Sequence, residues 1–186
     1  MYLIYDLECS YSNQDNTPKD YNELLEIGAV IVDKDYQIID RFQSYVALKF
    51  YPPLSEECNE LLGDIRKEIE AAEELPVIWQ RFEQWHRQYP IIKTAAWGIS
   101  DETFLKKQLA RYELTTDFFD IEFVDLKKAF RKSRPVKIKP VGLARACKII
   151  GLEMAGKQHA ADDDAFNAML VAKNGDLLGD TDTKQR

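Results

Sequence analysis

The order of its apolar segments constrains the fold of this chain more than any other feature of the sequence. Three strand-like segments come first, at residues 2–7, 26–32 and 36 to about 46. The second and third are separated by a short turn, so they are expected to be antiparallel neighbours. Two further short strands, at residues 91–96 and 121–124, alternate with helical patterns. This order predicts an α/β fold, in which helices flank a mixed five-stranded sheet.

Helical periodicity predicts the remaining elements. The pattern is helical from residue 54 to about residue 86, with a break expected near Pro76. The polar stretch at residues 11–21 is typical of a loop between the first two strands. Further helices are expected at residues 101–113, around Ala129, at residues 143–150 and at residues 162–173.

Length and composition indicate one globular domain. The 186 residues, 45% of them hydrophobic, suffice for a full core. We expect a single domain over residues 1–174 and a polar C-terminal tail over residues 175–186. No apolar run is long enough to cross a bilayer, and the N-terminus leads directly into a strand without the pattern of a signal peptide. These features predict a cytoplasmic protein that has no membrane partner.

The distribution of charge matters more than its sum. The net charge is −7, yet the segment between Leu126 and Leu152 contains nine basic residues and no acid. A local basic segment on an acidic body is typical of a surface that follows phosphates. The alternative is an ordinary solvated helix face and loop.

Acidic residues end the first strand in the string Asp6-Leu7-Glu8. Because successive side chains of a strand alternate between its faces, Asp6 and Glu8 are expected to point the same way. Two carboxylates on one side of a strand end can bind a hard divalent cation through oxygen. Taken alone, the pattern also fits a polar strand end that faces solvent.

Two further acidic positions accompany a histidine. Asp101 is expected in the first turn of a helix, where it could be a ligand or simply a favourable charge at the helix start. His159 stands just before three consecutive aspartates, which exceed what helix capping needs. An imidazole suits proton abstraction from water near neutral pH. The residues alone do not distinguish among Asp162, Asp163 and Asp164 as ligand.

Three motifs together carry a family resemblance. The strings Asp6-Leu7-Glu8 and Trp97-Gly98-Ile99-Ser100-Asp101, and His159 with Asp164 after four intervening residues, resemble the exonuclease motifs of the DEDD superfamily in its histidine-containing branch (DEDDh). The resemblance runs from Tyr2 to about Val171, and its layout is most similar to the exoribonucleases that trim the 3′ ends of structured RNAs. It implies a ribonuclease H-like fold and 3′-to-5′ exonuclease activity.

The resemblance also implies roles for individual residues. Four carboxylates would be catalytic and would bind two divalent cations, Mg²⁺ or Mn²⁺: Asp6, Glu8, Asp101 and Asp164. Asp163 is the alternative to Asp164 as the fourth ligand. His159 would act as the general base. The residues expected to contact substrate are Cys9, Leu62, Trp97, Lys137 and Lys139.

The expected reaction is hydrolysis of phosphodiester bonds from the 3′ end of single-stranded nucleic acid, releasing nucleoside 5′-monophosphates. RNA is slightly favoured over DNA as the partner, and the sequence indicates no particular protein partner. One alternative is a catalytically silent nucleic-acid-binding or scaffold protein on the same fold, since a fold alone does not determine function. Another is a nuclease that acts on oligonucleotides only.

Overall fold

The computed structural model describes residues 1–12, 17–18, 20–136, 138–157 and 159–179. Within these residues the strands are β1 (Tyr2–Cys9), β2 (Leu24–Val32), β3 (Ile38–Tyr45), β4 (Lys93–Ala96) and β5 (Glu122–Asp125). They form one sheet with the order β3-β2-β1-β4-β5. The pairs β1–β2 and β2–β3 are antiparallel, whereas β4 runs parallel to both β1 and β5. The predicted mixed five-stranded sheet is confirmed.

The helical pattern after residue 54 corresponds to three helices, and the predicted break near Pro76 is confirmed, because one helix ends at Ala71 and the next begins at Leu75. Pro76 lies in the first turn of the later helix, where the missing N–H group of proline has no helical acceptor to lose. A second break, which was not predicted, falls at Gly63, whose φ of +82° is a conformation that glycine adopts readily. The helices of the described ranges are α1 (Glu56–Leu62), α2 (Arg66–Ala71), α3 (Leu75–His86), α4 (Ile99–Arg111), α5 (Leu126–Ser133), α6 (Leu143–Ile149) and α7 (Ala161–Gly175).

Helices cover both faces of the sheet because the central strands are apolar on both sides. Tyr2 and Ile4 of β1 pack with α5, α6 and α7 on one face. Leu3 and Tyr5 pack with α3 and α4 on the other. A smaller cluster joins α1 and α2 to Leu25 of β2. By strand alternation, the positions that follow Ile4 on its face are the acids at the end of β1.

The chain after α7 packs against the sheet. Leu178 is fully buried. Its backbone N–H donates to the Tyr36 hydroxyl at 2.9 Å, and its carbonyl accepts from Lys93 Nζ at 3.0 Å. These contacts attach the first residues of the expected polar tail to the folded unit, at least through Leu178.

Parts of two predicted segments lie outside the described residues. They are residues 180–186 of the expected tail, and residues 13–16 and 19 of the loop expected at residues 11–21. In the described part of the chain, no helix combines the length and the apolar character needed to span a lipid bilayer.

Candidate active site

Two acids end β1 at the edge of the sheet where the parallel strands have their carboxyl ends. Asp6 and Glu8 lie on the face of β1 that carries α7. Asp6 pairs with Gly28 of β2, and Glu8 pairs with Glu26. Only 12% of the Glu8 side chain is exposed. The central strands of the sheet, and not a surface loop, therefore hold both carboxylates.

The third acid comes from the turn between β4 and α4. Because β4 is parallel to β1, the helix that follows it starts at the same edge of the sheet. Gly98, with φ of +128°, turns the chain into α4, and Asp101 lies in the first turn. The Ser100 hydroxyl donates to Asp101 Oδ2 at 3.4 Å. Among the neighbouring charges, that of Asp101 contributes most to raising the pKa of Asp6, so the two carboxyls belong to one cluster.

The N-terminal end of α7 supplies the remaining two residues. A Cβ atom on Gly28 would lie 2.0 Å from the carbonyl carbon of Ala161, so only glycine permits this approach of helix to strand. Since Gly28 pairs with Asp6, the approach places the start of α7 against the acidic end of β1. His159 precedes the helix with φ of +64°, and its N–H donates to Asp164 Oδ2 at 3.2 Å.

Glu8, His159 and Asp164 form a compact group at this edge. One potential ligand atom of each lies within 4.8 Å of the others, and His159 Nδ1 is 4.0 Å from Glu8 Oε1. Asp164 is 8% exposed, whereas 38% of the His159 side chain is exposed. The imidazole is therefore open to water, while the carboxylate beside it is shielded.

Burial raises the pKa of all four carboxyls, and the charges of neighbouring acids raise it further. Burial, followed by the charges of Asp101 and Glu8, raises the pKa of Asp6 well above its ordinary value. Burial and the charge of Asp164 raise the pKa of Glu8 to about 8. Burial also raises the pKa of Asp101 and of Asp164. A cation among these groups would offset the repulsion and let them ionise together.

The donor set fits a divalent cation. Hard cations such as Mg²⁺ and Mn²⁺ prefer carboxylate oxygens. Asp164 Oδ1 is buried and has no hydrogen-bond partner in the described part of the chain, although buried oxygens are normally paired. A buried, unpaired carboxylate oxygen close to Glu8 is what a ligand atom for a cation requires. The side chains at this edge are therefore compatible with the predicted metal.

The three consecutive aspartates are distinguished by their contacts. Asp163 accepts the backbone N–H of Lys157 at 2.7 Å, and a Cβ atom on Gly156 would collide with its carboxylate. It is therefore occupied in holding the preceding loop. Asp164 instead lies beside Glu8 and His159. This placement favours Asp164 over Asp163 as the ligand, and the ligand role itself stays a prediction.

The residues predicted to contact substrate are placed very differently from one another. Trp97 is 6% exposed, and its indole N–H donates to a main-chain carbonyl at 3.2 Å. Leu62 is 2% exposed and packs between α1 and α2. Both side chains have core contacts, and their contact with substrate stays a prediction. Cys9 is half-buried at the end of β1, Lys139 is exposed between α5 and α6, and Lys137 lies outside the described residues.

Glu26 supports the site in a way that the sequence did not reveal. It is 3% exposed and lies beside Glu8 in the sheet. Its Oε2 accepts the backbone N–H of Ala161 at 3.2 Å, and its Oε1 accepts from Gln43 Nε2 at 2.7 Å. The first N–H groups of a helix have no helical acceptor, so Glu26 anchors the start of α7. The available signal was a charged residue within an otherwise apolar strand.

Lys127 is a second residue whose proximity to the site comes only from the tertiary structure. Its Nζ lies 3.3 Å from the position that a Cβ atom on Gly98 would occupy. Its positive charge acts to lower the pKa of Asp101 against the effect of burial. The basic segment therefore begins next to the acidic cluster.

Lys157 connects the loop that carries His159 to α1. Its Nζ donates to the carbonyl of Leu62 at 2.6 Å, while its backbone N–H donates to Asp163. The carbonyls of the last helical turn lack helical partners, so this contact satisfies one of them. The same side chain thus holds the end of α1 and the loop before α7 together.

Replacing Lys157 with Met keeps much of its shape and removes the donor. We expect the free energy of unfolding to fall by about 1 kcal/mol. If the chain hydrolyses nucleic acid as its motifs predict, kcat should fall roughly tenfold, because small displacements of a reacting group are costly. Chemical denaturation and steady-state kinetics measure the two effects, and Lys157→Arg should restore part of both. Equal losses in Lys107→Met, an exposed lysine of α4, would contradict the specific role of Lys157.

Comparison of the sequence with known proteins points to nucleases. The Exonuclease family model, RNase_T, matches residues 3–172. Human ERI1 exoribonuclease 2 is 26% identical over 192 residues, which cover 91% of this chain and 27% of the relative. The probable 3′-5′ exonuclease KapD of Bacillus subtilis (strain 168) is 26% identical over 181 residues, 92% of this chain and 82% of the relative. The chain spans only about a quarter of the length of the human relative and 51% of the length of rat 3′-5′ exoribonuclease 1.

Solved structures share the fold. The nuclease domain of 3′hExo, a DEDDh family member bound to rAMP, superposes with a TM-score of 0.83 at 21% identity, covering 93% of this chain and 90% of that one. Cell-death related nuclease 4 (CRN-4) gives a TM-score of 0.80 at 20% identity, with 96% and 64% covered. These similarities confirm the predicted ribonuclease H-like fold. Since the family match extends over residues 3–172, nearly all of the described residues, this chain belongs to the RNase_T exonuclease family, in agreement with its resemblance to the DEDDh exonucleases.

Proposed function

We propose that this protein is a metal-dependent 3′-to-5′ exonuclease that hydrolyses phosphodiester bonds of single-stranded nucleic acid to nucleoside 5′-monophosphates. One observation carries the proposal. Carboxyls from three separate elements, β1, α4 and α7, converge with a solvent-accessible histidine at one edge of the sheet. Burial and the charges of neighbouring acids raise the pKa of Asp6 and Glu8, so a nearby positive charge would favour their ionised forms.

Asp6, Glu8, Asp101 and Asp164 would hold two divalent cations, Mg²⁺ or Mn²⁺. When bound, such ions stabilise negative charge on a phosphate and on the departing oxygen. The role of this chain's own residues is to keep the carboxylates fixed on rigid elements and to exclude bulk water from them. Glu26 and Gly28 position the start of α7 for that purpose.

His159 is proposed as the general base. Its side chain is partly exposed and lies beside Glu8, so it can accept a proton from a water molecule that attacks the phosphate. The hydrogen bond from its backbone N–H to Asp164 fixes the residue relative to the cluster.

RNA is the proposed substrate class. Structural relatives include 3′hExo with bound rAMP and a 3′-exonuclease that recognises the histone mRNA stem-loop. The basic segment at residues 127–148 would hold the strand by its phosphates, since Lys127 lies next to the acidic cluster. A cytoplasmic location stays a prediction from the sequence.

A labelled-substrate assay tests the proposal. RNA and DNA oligonucleotides labelled at the 5′ end are incubated with the protein in Mg²⁺, in Mn²⁺ or in chelator. We expect a ladder that shortens from the 3′ end only when metal is present, with RNA shortened faster than DNA. Binding without cleavage in either metal would instead support the catalytically silent alternative. Cleavage of dinucleotides but not of longer strands would support the oligonucleotide-only alternative.

Substitution of His159 separates the base from the metal ligands. Asn suits this position because it tolerates the positive φ better than most residues. We expect His159→Asn to lower kcat by roughly 10²- to 10⁴-fold, the range for loss of a positioned general base. Thermal stabilisation by Mn²⁺ should persist in this variant, because the carboxylates are intact. A kcat within a few-fold of the parent value would exclude His159 as the base.

A further inference from the structure

A groove of about 760 Å³ lies beside the edge strand β5. The start of α4, the outer strand β5, helix α5 and the C-terminal end of α7 form its walls. It is separate from the carboxyls that make up the acidic cluster, none of which lines it. Its size is within the range of ordinary ligand sites.

The groove begins at the acidic cluster. Ile99, which lines it, stands two residues before Asp101 on the first turn of α4. Asp125 also lines it and lies close enough to Asp101 for its charge to act on that carboxyl. A strand whose 3′ end occupies the cluster would therefore have this groove directly adjacent to it.

Cations follow one wall of the groove. Lys128 and Lys132 are exposed, line the groove and lie one turn apart on α5, about 6 Å along the helix axis. Within the described ranges, neither forms an ion pair. At the far end, Arg134 Nη2 comes within 3.5 Å of the position that a Cβ atom on Gly175 would take. The distance between Lys128 and Lys132 suits successive phosphates of a single strand.

The acids that line the groove are already engaged by other groups. Asp125 accepts the backbone N–H of Lys128 at 2.9 Å as the cap of α5. Asp176 accepts the Tyr36 hydroxyl at 3.4 Å. Among the described residues no acid pairs with Lys128 or Lys132, so the groove favours an anionic ligand on the α5 side.

Apolar surface accompanies these cations. Ile99 is 55% exposed, and Phe123 and Ala129 line the groove with it. Unpaired bases present flat apolar faces that contact such surfaces, whereas the bases of a duplex are stacked on each other. The combination of cations and apolar surface fits a single strand better than a duplex.

We propose that this groove holds the single-stranded RNA segment on the 5′ side of the nucleotides in the active site, with phosphates on Lys128 and Lys132 and bases against Ile99. The proposal rests on the proposed function, which places the 3′ end at the acidic cluster. It assigns strand binding within the basic segment primarily to α5.

The test compares substrate lengths in the double variant Lys128→Glu/Lys132→Glu. Hydrolysis of a dinucleotide and of a twelve-nucleotide RNA is measured at several salt concentrations. For the longer RNA we expect kcat/KM to fall tenfold or more. We also expect the plot of log(kcat/KM) against the logarithm of salt concentration to become less steep by about 1.4, since each lost phosphate contact contributes roughly 0.7 to the slope. Hydrolysis of the dinucleotide should change less than twofold. The matched control is Lys34→Glu/Lys107→Glu, which makes the same change of charge at exposed lysines outside the groove.

Each remaining outcome overturns the proposal. They are an equal loss for both substrate lengths, an equal loss in the control variant, and no loss for the longer RNA. Fluorescence anisotropy in chelator keeps this test independent of catalysis. If the parent protein binds the longer RNA, the groove variant binds it tenfold more weakly and neither cleaves it, then the proposed function fails while the groove assignment stands.

Discussion

Asp6→Asn should lower the rate of nucleic-acid hydrolysis by roughly a thousandfold or more while leaving the metal-free protein as stable as before or more stable. The loss follows from removing a proposed ligand, because bound cations contribute several kcal/mol to stabilising charge in the transition state. The retained stability follows from the surroundings of Asp6. Its carboxyl is buried among Asp101, Glu8 and Asp164, so a neutral amide of the same shape relieves repulsion.

Single-turnover kinetics and thermal unfolding in chelator measure the two halves of this prediction. Asp35→Asn, at an exposed turn acid, is the matched control and should change neither quantity. Addition of Mn²⁺ should raise the melting temperature of the parent protein and have little effect on Asp6→Asn. Activity within tenfold of the parent value would show that Asp6 is not a required ligand. A large drop in the melting temperature would show that the carboxylate is needed for folding.

The metal-free protein should become less stable as the pH rises from about 5 to about 9, and divalent cations should remove this dependence. Carboxyls of the unfolded chain ionise near pH 4. In the folded protein the pKa of Glu8 is about 8, and those of Asp6, Asp101 and Asp164 are also raised. The folded state therefore binds more protons than the unfolded state between these limits. The stability that these four carboxyls contribute is fully present below their pKa in the unfolded chain. It is lost as the pH rises through their pKa in the folded protein.

We expect a loss on the order of a few kcal/mol across this window, which corresponds to about 5–10 °C in melting temperature for a domain of this size. Thermal unfolding in chelator and in saturating Mn²⁺ measures it. Glu8→Gln should flatten the curve in chelator, because the amide does not titrate. An unchanged slope in that variant would show that the pH dependence arises elsewhere in the protein.

Local patterns were sufficient to predict the elements that carry the site. Alternation along β1 places Asp6 and Glu8 on one face, and Asp101 was expected in the first turn of a helix, where it lies. The break near Pro76 was also predicted correctly, and proline there begins a helix. The ring is tolerated in the first turn, and only at interior positions does it break the helix.

Burial was much harder to predict than secondary structure. Trp97 and Leu62 were predicted to contact substrate, and the sequence did not indicate that both side chains pack into the core. The contact with substrate stays a prediction, because burial depends on which elements pack over a strand end or a helix end. Glu26 shows the reverse case, since a residue within a strand proved to hold the start of α7.

The sequence by itself determined the types of residue, their local faces and, through the family motifs, the chemistry to expect at an acidic strand end. The tertiary structure alone decided which of these residues meet. The close approach of α7 at Gly28 brings Asp164 to Glu8 across more than 150 residues of chain, and the loop contacts of Asp163 set it apart from Asp164. The physical reason is that periodicity and capping act over a few residues. Long-range contacts depend instead on the shapes of packed surfaces, which no local pattern encodes.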